Sequence, residues 1–405
     1  MPDNQNNINN IFEKFLSQDP LFKDKKVLQS SYTPDALLHR DEEINTLAKI
    51  LAPALRMERP SNVFLYGKTG TGKTVTALYT TSEISKLSLQ KKIPLKIAYI
   101  NCKLSRIADT EYRVVAQLAR EFDKEIPATG LPTDEVYKIF FSAIDDKEQL
   151  IILILDEIDQ LVKKVGDEII YNLTRINTNL KKSQLCIIGI SNDLIFTDHL
   201  DPRVKSSLSE EEVIFPPYNA LQLQDILRRR SNNAFKENVV QQGVVEKCAA
   251  YAAREHGDAR RALELLRVAG EIAERNGEQQ VKIDHIDMAE EKIERDRVID
   301  IVKTQPRQQQ TTLYAIFSLY TDQKTSIYTG DVYDVYKSFC AKVGLFPLTQ
   351  RRVSDIIAEL DMLGIINAKV VSKGRFGRTR EISVAIPQTV KPKIMTILQQ
   401  SLGIE

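Results

Sequence analysis

An eight-residue stretch rich in glycine and threonine has the spacing of a phosphate-binding loop, and it follows a short apolar run, 63–66, that predicts a strand. Glycines let the backbone turn tightly enough for its N–H groups to surround a phosphate, and the next helix points the positive end of its dipole at the same anion. A glycine-rich turn can also share the pattern by chance. The residues expected to bind here, together with Val75, are Gly67, Lys68, Thr69, Gly70, Thr71, Gly72, Lys73 and Thr74.

Two carboxylates end a second apolar run about eighty residues later. The run 150–155 is continuous, as in a fully buried strand of a parallel sheet, and Asp156 and Glu157 follow it. Ligands of doubly wound sheets bind at the carboxyl ends of the strands. We therefore expect Thr74 and Asp156 to hold Mg²⁺, Lys73 to reach the β- and γ-phosphates of a nucleotide, and Glu157 to polarise the attacking water. The alternative is an acidic helix start without a ligand.

A third buried strand is predicted over residues 185–190, and Ser191 and Asn192 come directly after it. An Asn after a strand is usually only a turn residue. Because the three strands end in a phosphate loop, an Asp-Glu pair and an Asn, we expect one converging site. Asn192 is then placed to hold the lytic water or the γ-phosphate.

The order of these motifs resembles that of an AAA+ ATPase, with a parallel-sheet core and a helical lid. Within that superfamily the chain is similar to archaeal replication initiators, the relatives of the origin recognition complex and of the cell-division-control loading factor. The likeness extends from about Val27 to the end of the chain. Further motifs that carry it are 38–43 (LHRDEE), 201–208 (DPRVKSSL), 215–218 (FPPY) and 257–260 (GDAR).

The resemblance implies ATP or ADP as the nucleotide and assigns roles to further residues. Arg260 takes the position of the second sensor on the lid, and Arg203 that of an arginine finger that completes the site of a neighbouring subunit. Tyr218 and Arg230 occupy positions that contact nucleotide from the start of the lid. His39 and Arg40 lie in the segment that packs against adenine. Without the resemblance, Arg203 would be an exposed loop residue, and Arg228–Arg230 a solvated helix face.

Composition bounds the class of protein. A chain of 405 residues with a net charge of +1 predicts two or three globular domains. No apolar run approaches the length of a membrane helix and no apolar signal segment begins the chain, so we expect a cytoplasmic, nucleoid-associated protein without membrane partners. The four cysteines lack metal-ligand spacing, which favours free buried thiols.

Changes in the spacing of apolar residues along the chain predict the domain organisation. Residues 1–26 form an N-terminal arm, and strands alternate with helices over 27–217, as an α/β nucleotide-binding base requires. Residues 218–302 show a helical pattern and form the lid. Residues 303–311 hold a proline and almost no apolar side chains, which is typical of a linker. The C-terminal domain then covers 312–405.

This C-terminal domain has the pattern of a winged helix. Thr349 is a predicted N-cap, apolar residues recur at helical spacing from Val353 to Leu363, and a basic hairpin, 372–380, joins two predicted strands. In that helix-turn-helix variant the helix enters the major groove and the wing tracks phosphates. The predicted DNA contacts are Gln350, Arg351, Arg352, Lys373, Arg375, Arg378 and Arg380.

Charge supports a nucleic-acid partner for this end of the chain. From Pro306 onward there are thirteen Lys or Arg and eight Asp or Glu, a surplus of five. Winged helices also dock proteins, which is the alternative interpretation. The resemblance further implies a DNA-touching helix near 103–112, with Arg106 as its cation.

The leading hypothesis is an ATP-switched initiator that binds double-stranded origin DNA and helps recruit or load the replicative minichromosome maintenance helicase, alongside other initiator paralogues. A second hypothesis is a sequence-specific DNA-binding regulator with a vestigial ATPase. A third is a clamp-loader-like ATPase with fast turnover. The initiator needs only slow ATP hydrolysis, because the nucleotide marks a state of the protein.

Overall fold

The structure is a computed structural model, and the chain divides into two compact units, Met1–Ile286 and Asp287–Glu405. The residues that the structure describes are 12–13, 19–30, 32–103, 110–127, 130–208, 210–320, 327–372, 378–386 and 390–404. Among them, no helix has the length and apolar content needed to cross a bilayer. All four cysteines are buried free thiols.

A five-stranded parallel sheet is the centre of the first unit. Its strands are β1 (Asn62–Tyr66), β2 (Leu95–Asn101), β3 (Gln149–Asp156), β4 (Ser183–Ser191) and β5 (Glu210–Ile214). They lie in the order β2-β3-β4-β1-β5 and pair in parallel throughout. The three strands predicted from apolar runs correspond to β1, β3 and β4, and β3 is buried along its whole length. The sheet therefore brings the ends of β3 and β4 to the phosphate loop that follows β1.

Helices cover both faces of this sheet, as parallel strands require. One core packs against α1 (Asp41–Leu51) and α2 (Lys73–Lys91), and includes Leu47, Leu51 and Ala77. The other packs against α3 (Glu111–Arg120), α4 (Thr133–Ile144), α5 (Ile158–Val165), α6 (Glu168–Arg175) and α7 (Pro202–Leu208). The predicted α/β base is confirmed.

The lid begins after the sheet and is helical, as predicted. It contains α8 (Ala220–Ala234), α9 (Val244–Arg254), α10 (Ala259–Arg275) and the start of α11 (Ile283–Thr304). Asn219 and Gln222 form a capping box at the start of α8. Asp258 caps α10 by accepting hydrogen bonds from the backbone N–H groups of Arg260 and Arg261.

The end of the predicted N-terminal arm packs on the lid. Leu21 and Phe22 are buried, and the Phe22 ring stacks on Phe235 with 4.5 Å between ring centroids. The Lys23 N–H also donates to the Ala234 carbonyl at 2.8 Å. This contact extends the lid core by apolar burial. The first eleven residues lie outside the described part of the chain.

The second unit combines helices with a small antiparallel sheet. Besides the rest of α11, its helices are α12 (Arg307–Leu319), α13 (Thr329–Val343), α14 (Gln350–Met362) and α15 (Lys391–Leu402), and its strands are β6 (Ile327–Tyr328), β7 (Ile366–Ser372) and β8 (Arg378–Val384). The strand order is β6-β8-β7. Thr349 caps α14, and Gly364 follows it with a φ of 72°. The predicted winged helix, with its helix and two long strands, is confirmed.

The predicted linker 303–311 is wrong, because most of it is helical. Only a short break at Gln305–Pro306 separates α11 from α12. Polar side chains are buried here because backbone carbonyls of the two helices accept their hydrogen bonds: the Gln310 amide donates to the Val302 carbonyl of α11 at 3.2 Å, and the Thr311 hydroxyl donates to the Arg307 carbonyl of α12 at 2.8 Å. A polar sequence therefore need not be an extended one.

Candidate functional site

A cavity of about 460 Å³ lies in the first unit at the carboxyl ends of the strands. Its walls are the phosphate loop, residues between Gln29 and Leu38, the ends of β2 and β3, Asn192 after β4, and residues of the lid helices α8 and α10. The volume lies in the range of small-ligand pockets. The converging site predicted from three strand ends is therefore a single cavity closed by the lid.

Lys73 is held at the centre of the phosphate loop. Its ammonium group donates to the carbonyls of Gly67 at 2.7 Å and Lys68 at 2.8 Å, and to Asn192 Oδ1 at 2.9 Å. Burial, followed by the positive charge of Arg260, lowers the pKa of Lys73 to about 8. The lysine predicted to reach phosphates and the amide at the end of β4 are thus direct neighbours.

The phosphate loop also contacts the lid directly. The backbone N–H of Ala259, at the start of α10, donates to the Gly70 carbonyl at 3.2 Å. Gly70 has a φ of 76°, and a Cβ added to it would lie 1.8 Å from Asp258 Oδ1. Only glycine fits here, both for its backbone conformation and for the close approach of the lid.

Thr74 and Asp156 form the oxygen pair predicted to hold a divalent cation. The Thr74 hydroxyl donates to Asp156 Oδ2 at 3.0 Å, and the Tyr99 hydroxyl donates to the same oxygen at 2.9 Å. Asp156 Oδ1 accepts the backbone N–H of Glu157 at 3.0 Å. Burial, and then the charge of Asp156, raises the pKa of Tyr99 to about 12. A hydroxyl beside a buried carboxylate suits a hard cation such as Mg²⁺.

Glu157 adopts a left-handed backbone conformation with a φ of 56°. Such a conformation costs free energy for a residue other than glycine and is common at functional sites. Its carboxylate lines the cavity and lies 3.5 Å from the ammonium group of Lys103. Glu157 therefore combines a left-handed backbone with a place on the cavity wall.

His39 and Arg40 are absent from the cavity walls, which the neighbouring Leu37 and Leu38 line, and their expected place beside adenine stays a prediction. The buried Arg40 guanidinium lies behind the phosphate loop, donating to the carbonyls of Thr71 at 2.9 Å and Pro216 at 2.6 Å. His39 Nε2 lies 3.1 Å from Asp225 on the lid. Arg40 is thus a support of the loop, since its donors are already used by backbone carbonyls.

Tyr218 and Arg230, which were expected to contact nucleotide, both line the cavity. The Arg40 guanidinium lies 3.9 Å from the centre of the Tyr218 ring, which makes Tyr218 part of the same support. Arg230 donates to the carbonyls of Val27 at 3.1 Å and Tyr32 at 3.3 Å, and its guanidinium covers the Tyr32 ring at 4.6 Å. Arg230 therefore anchors the 29–38 wall to the lid.

The two predicted arginines of the ATPase cycle lie in different surroundings. Arg260 lines the cavity, and its charge acts on Lys73. Arg203 is outside the cavity, with its side chain 84% exposed and 3.1 Å from Asp201. Arg203 is therefore available at the surface, whereas Arg260 belongs to this chain's own site.

Several residues of the cavity were not predicted. Polar examples are Tyr32, Tyr99, Asn101 and Arg229. Tyr99 and Asn101 are two positions apart on β2, so their side chains lie on the same face of the sheet, and both line the cavity. An alternating polar pattern at the end of a strand was the available signal, but the run 95–101 lacks the continuous apolar character that marked β3 and β4.

The second unit exposes the start of α14. Val353, Ile356, Ile357 and Leu360 are buried, while Gln350, Arg351 and Arg352 are exposed. Arg352 lies 3.7 Å from Asp355 and 4.0 Å from Glu359. The amphipathic pattern is confirmed, except that Leu363 is 38% exposed because it lies beyond the last helical turn.

The remaining DNA contacts predicted from sequence are described only in part. Arg380 is on β8 and is partly buried, and its backbone N–H donates to the Thr329 hydroxyl at 3.3 Å. Arg378 begins β8, but its side chain lies outside the described atoms. Lys373, Arg375 and Arg106 lie outside the described residues.

Family comparisons agree with this architecture. The model of the AAA family, ATPases associated with various cellular activities, matches residues 63–217. The Cdc6 AAA+ ATPase-type lid domain matches residues 224–291, and the CDC6 C-terminal winged helix domain matches residues 300–390. The fold and the site thus define an AAA+ ATPase with a Cdc6-type lid and a winged helix.

The chain belongs to the family of ORC1-type DNA replication proteins. It is 57% identical to the ORC1-type DNA replication protein of Thermococcus onnurineus over 95% of this chain and 94% of that protein. The identity to the Pyrococcus furiosus protein of the same name is 54%, over 100% and 96% of the two chains. The Aeropyrum pernix ORC1 protein, solved in complex with DNA, superposes with a TM-score of 0.84 at 44% identity, covering 95% of this chain and 98% of that one.

Proposed function

We propose that this chain is an ATP-dependent initiator of DNA replication that binds origin duplex DNA and helps recruit or load the replicative helicase. The observation that carries the proposal is the convergence of Lys73, Thr74, Asp156, Glu157 and Asn192 on one cavity in an ORC1-type chain. Membership of this family, and the DNA complex of the Aeropyrum relative, support the choice of DNA as partner.

ATP and ADP are the nucleotides that we assign to the cavity. Lys73 and the N–H groups of the phosphate loop would bind the β- and γ-phosphates, since they combine a cation with the N-terminus of α2. Thr74 and Asp156 would hold Mg²⁺, which supplies positive charge against the phosphate oxygens. Glu157 would accept a proton from the attacking water, and Asn192 would orient that water or the γ-phosphate.

The two arginines would have different roles: Arg260 would distinguish ATP from ADP, and Arg203 would complete the site of a neighbouring subunit. Arg260 on the lid would approach the γ-phosphate, so the lid would close on ATP and loosen on ADP. Arg203, which is exposed, would act in the site of a neighbouring initiator subunit and stabilise charge in its transition state. Turnover would be slow, because the protein uses the nucleotide as a marker of state.

The winged helix would read the origin. The N-terminal turn of α14 would enter the major groove with Gln350, Arg351 and Arg352, and Lys373, Arg375, Arg378 and Arg380 would follow phosphates along the wing. Arg106 would add a contact from the first unit. Such a protein would act at the nucleoid, with the minichromosome maintenance helicase and paralogous initiators as its partners.

The first experiment is genome-wide crosslinking and sequencing of the DNA bound by this protein in its own cells. A few sharp sites at replication start points would support the proposal. Dispersed promoter sites would favour a regulator, and strong DNA stimulation of ATP hydrolysis in purified protein would favour a clamp-loader-like ATPase.

A second experiment separates the two halves of the proposal. Arg351→Ala should weaken binding to an origin duplex and relax its preference for the origin sequence, while nucleotide binding stays at the wild-type level. Parallel loss of both activities would show misfolding or a wrong domain assignment.

A further inference from the structure

Tyr99 is positioned by strand pairing to touch the end of the neighbouring strand. In the parallel register, Asn101 on β2 lies opposite Asp156 on β3, and Tyr99 lies opposite Ile154. Residues two apart on a strand share a face of the sheet, so Tyr99 points to the same side as Asn101 and Asp156. Its hydroxyl reaches Asp156 Oδ2 at 2.9 Å, and its ring lines the cavity.

Asp156 is fixed by donors on both of its oxygens. Oδ2 accepts from Tyr99 and from Thr74, and Oδ1 accepts from the backbone N–H of Glu157. Lys73 is close enough for its charge to interact with that of Asp156, yet its ammonium donates to Asn192 and to two loop carbonyls. Tyr99 and Thr74 thus share one carboxylate oxygen of Asp156, while the three donors of the Lys73 ammonium are used elsewhere.

We propose that Tyr99 is a positioning residue for the divalent cation, acting through its hydrogen bond to Asp156. The proposal rests on the metal site assigned above. Hydrogen bonds to a carboxylate ligand orient it, and their removal typically lowers metal affinity about 10- to 100-fold. A tyrosine serving only to pack the end of β2 would be replaceable by phenylalanine, which keeps the ring and loses only the hydroxyl.

The test is the affinity of the protein–ADP complex for Mn²⁺, a paramagnetic substitute for Mg²⁺ whose free concentration is read by electron paramagnetic resonance. Tyr99→Phe should raise the Mn²⁺ dissociation constant about tenfold. The affinity for ADP in EDTA should remain that of the wild type, because the hydroxyl acts on the metal ligand and contacts no loop backbone. Thermal melting of the nucleotide-free variant checks that it folds.

The matched control is Tyr112→Phe. That substitution also removes one tyrosine hydroxyl hydrogen bond, to the Pro127 carbonyl at 2.6 Å, but at an exposed site that does not line the cavity. It should leave Mn²⁺ affinity unchanged.

Two outcomes would overturn the role of Tyr99 while leaving the metal site in place. One is wild-type or tighter Mn²⁺ affinity in Tyr99→Phe, which would make the bond a feature of the metal-free state alone. The other is an equal loss of ADP affinity with and without metal, which would make Tyr99 a general wall of the cavity. If wild-type protein with ADP bound no Mn²⁺, the proposed metal site itself would fail.

Discussion

Lys73 and Asn192 are joined by a hydrogen bond of 2.9 Å between side chains that are 119 positions apart in sequence. The bond links the phosphate loop after β1 to the end of β4, the strand beside it. Lysine and asparagine therefore act as one unit, and a nucleotide phosphate would insert between them.

Replacing this lysine tests the nucleotide site. Lys73→Ala removes the buried cation of the loop, and we expect nucleotide affinity to fall about 100-fold, measured by calorimetric titration with ADP. Lys91→Ala, an exposed lysine at the other end of the same helix, should bind as the wild type does. Equal affinities in the two variants would remove the role of Lys73.

The pKa of Lys73 predicts a pH dependence. In the free protein this pKa is lowered to about 8, and phosphate bound beside the ammonium would raise it. Above pH 8 the free lysine is neutral and the bound lysine is charged, so binding takes up a proton and affinity falls as pH rises. Calorimetry of nucleotide binding in buffers of different ionisation enthalpy should find near-zero proton uptake at about pH 7. At about pH 9 the uptake should approach one proton per bound nucleotide. Lys73→Gln should abolish it.

Glu157 is predicted to separate binding from hydrolysis. Glu157→Gln keeps the shape of the side chain and loses the base, so ATP should bind normally while the hydrolysis rate falls about 10²- to 10⁴-fold in single-turnover assays. Glu148→Gln, at an exposed position just before the other end of β3, serves as the control. Hydrolysis at the wild-type rate in Glu157→Gln would contradict the assignment.

Arg40 should matter for stability before it matters for chemistry. Arg40→Ala leaves the carbonyls of Thr71 and Pro216 without their donor and removes the cation from the Tyr218 face. We expect a loss of about 3 kcal/mol in the free energy of unfolding, measured by denaturant titration, with weakened nucleotide binding. Arg56→Ala, an exposed arginine nearby in sequence, should change stability by less than about 0.5 kcal/mol. An unchanged free energy of unfolding in Arg40→Ala would show that the phosphate loop does not depend on Arg40 for its conformation.

The ion pair of Arg352 predicts a gain of DNA affinity. Asp355 lies 3.7 Å from Arg352 on the exposed face of α14, where its negative charge offsets that of a predicted DNA contact. Asp355→Asn should tighten duplex binding by about threefold at low salt and steepen its salt dependence. Glu135→Gln, which breaks a similar helical ion pair in the first unit, should change neither. Unchanged duplex binding of Asp355→Asn would place this face away from DNA.

The parts of the site that sequence predicts are those whose chemistry imposes a pattern. The glycine spacing of the loop and the continuous apolar run of β3 predicted where Lys73 and Asp156 lie, because phosphate cradles and buried parallel strands allow few alternatives. Tyr99 was not predictable in this way. Its role depends on the register between β2 and β3, which the local sequence does not encode.

Sequence is least informative where one residue type can serve two purposes. Arg40 was expected in the segment beside adenine, and in the fold its guanidinium donates to the carbonyls of Thr71 and Pro216. The segment 303–311 is polar enough for a linker, yet Gln310 and Thr311 are buried because nearby carbonyls accept their hydrogen bonds. Composition alone cannot distinguish a side chain whose hydrogen bonds go to water from one whose hydrogen bonds go to backbone carbonyls.

The hydrogen bond from Ala259 to Gly70, beside Asp258, joins the lid helix α10 directly to the phosphate loop. If nucleotide phosphates bind to that loop as proposed, ADP would leave only after this contact opens. The rate of opening would then set how long each molecule stays in its ADP-bound state, without any change in the chemistry of cleavage.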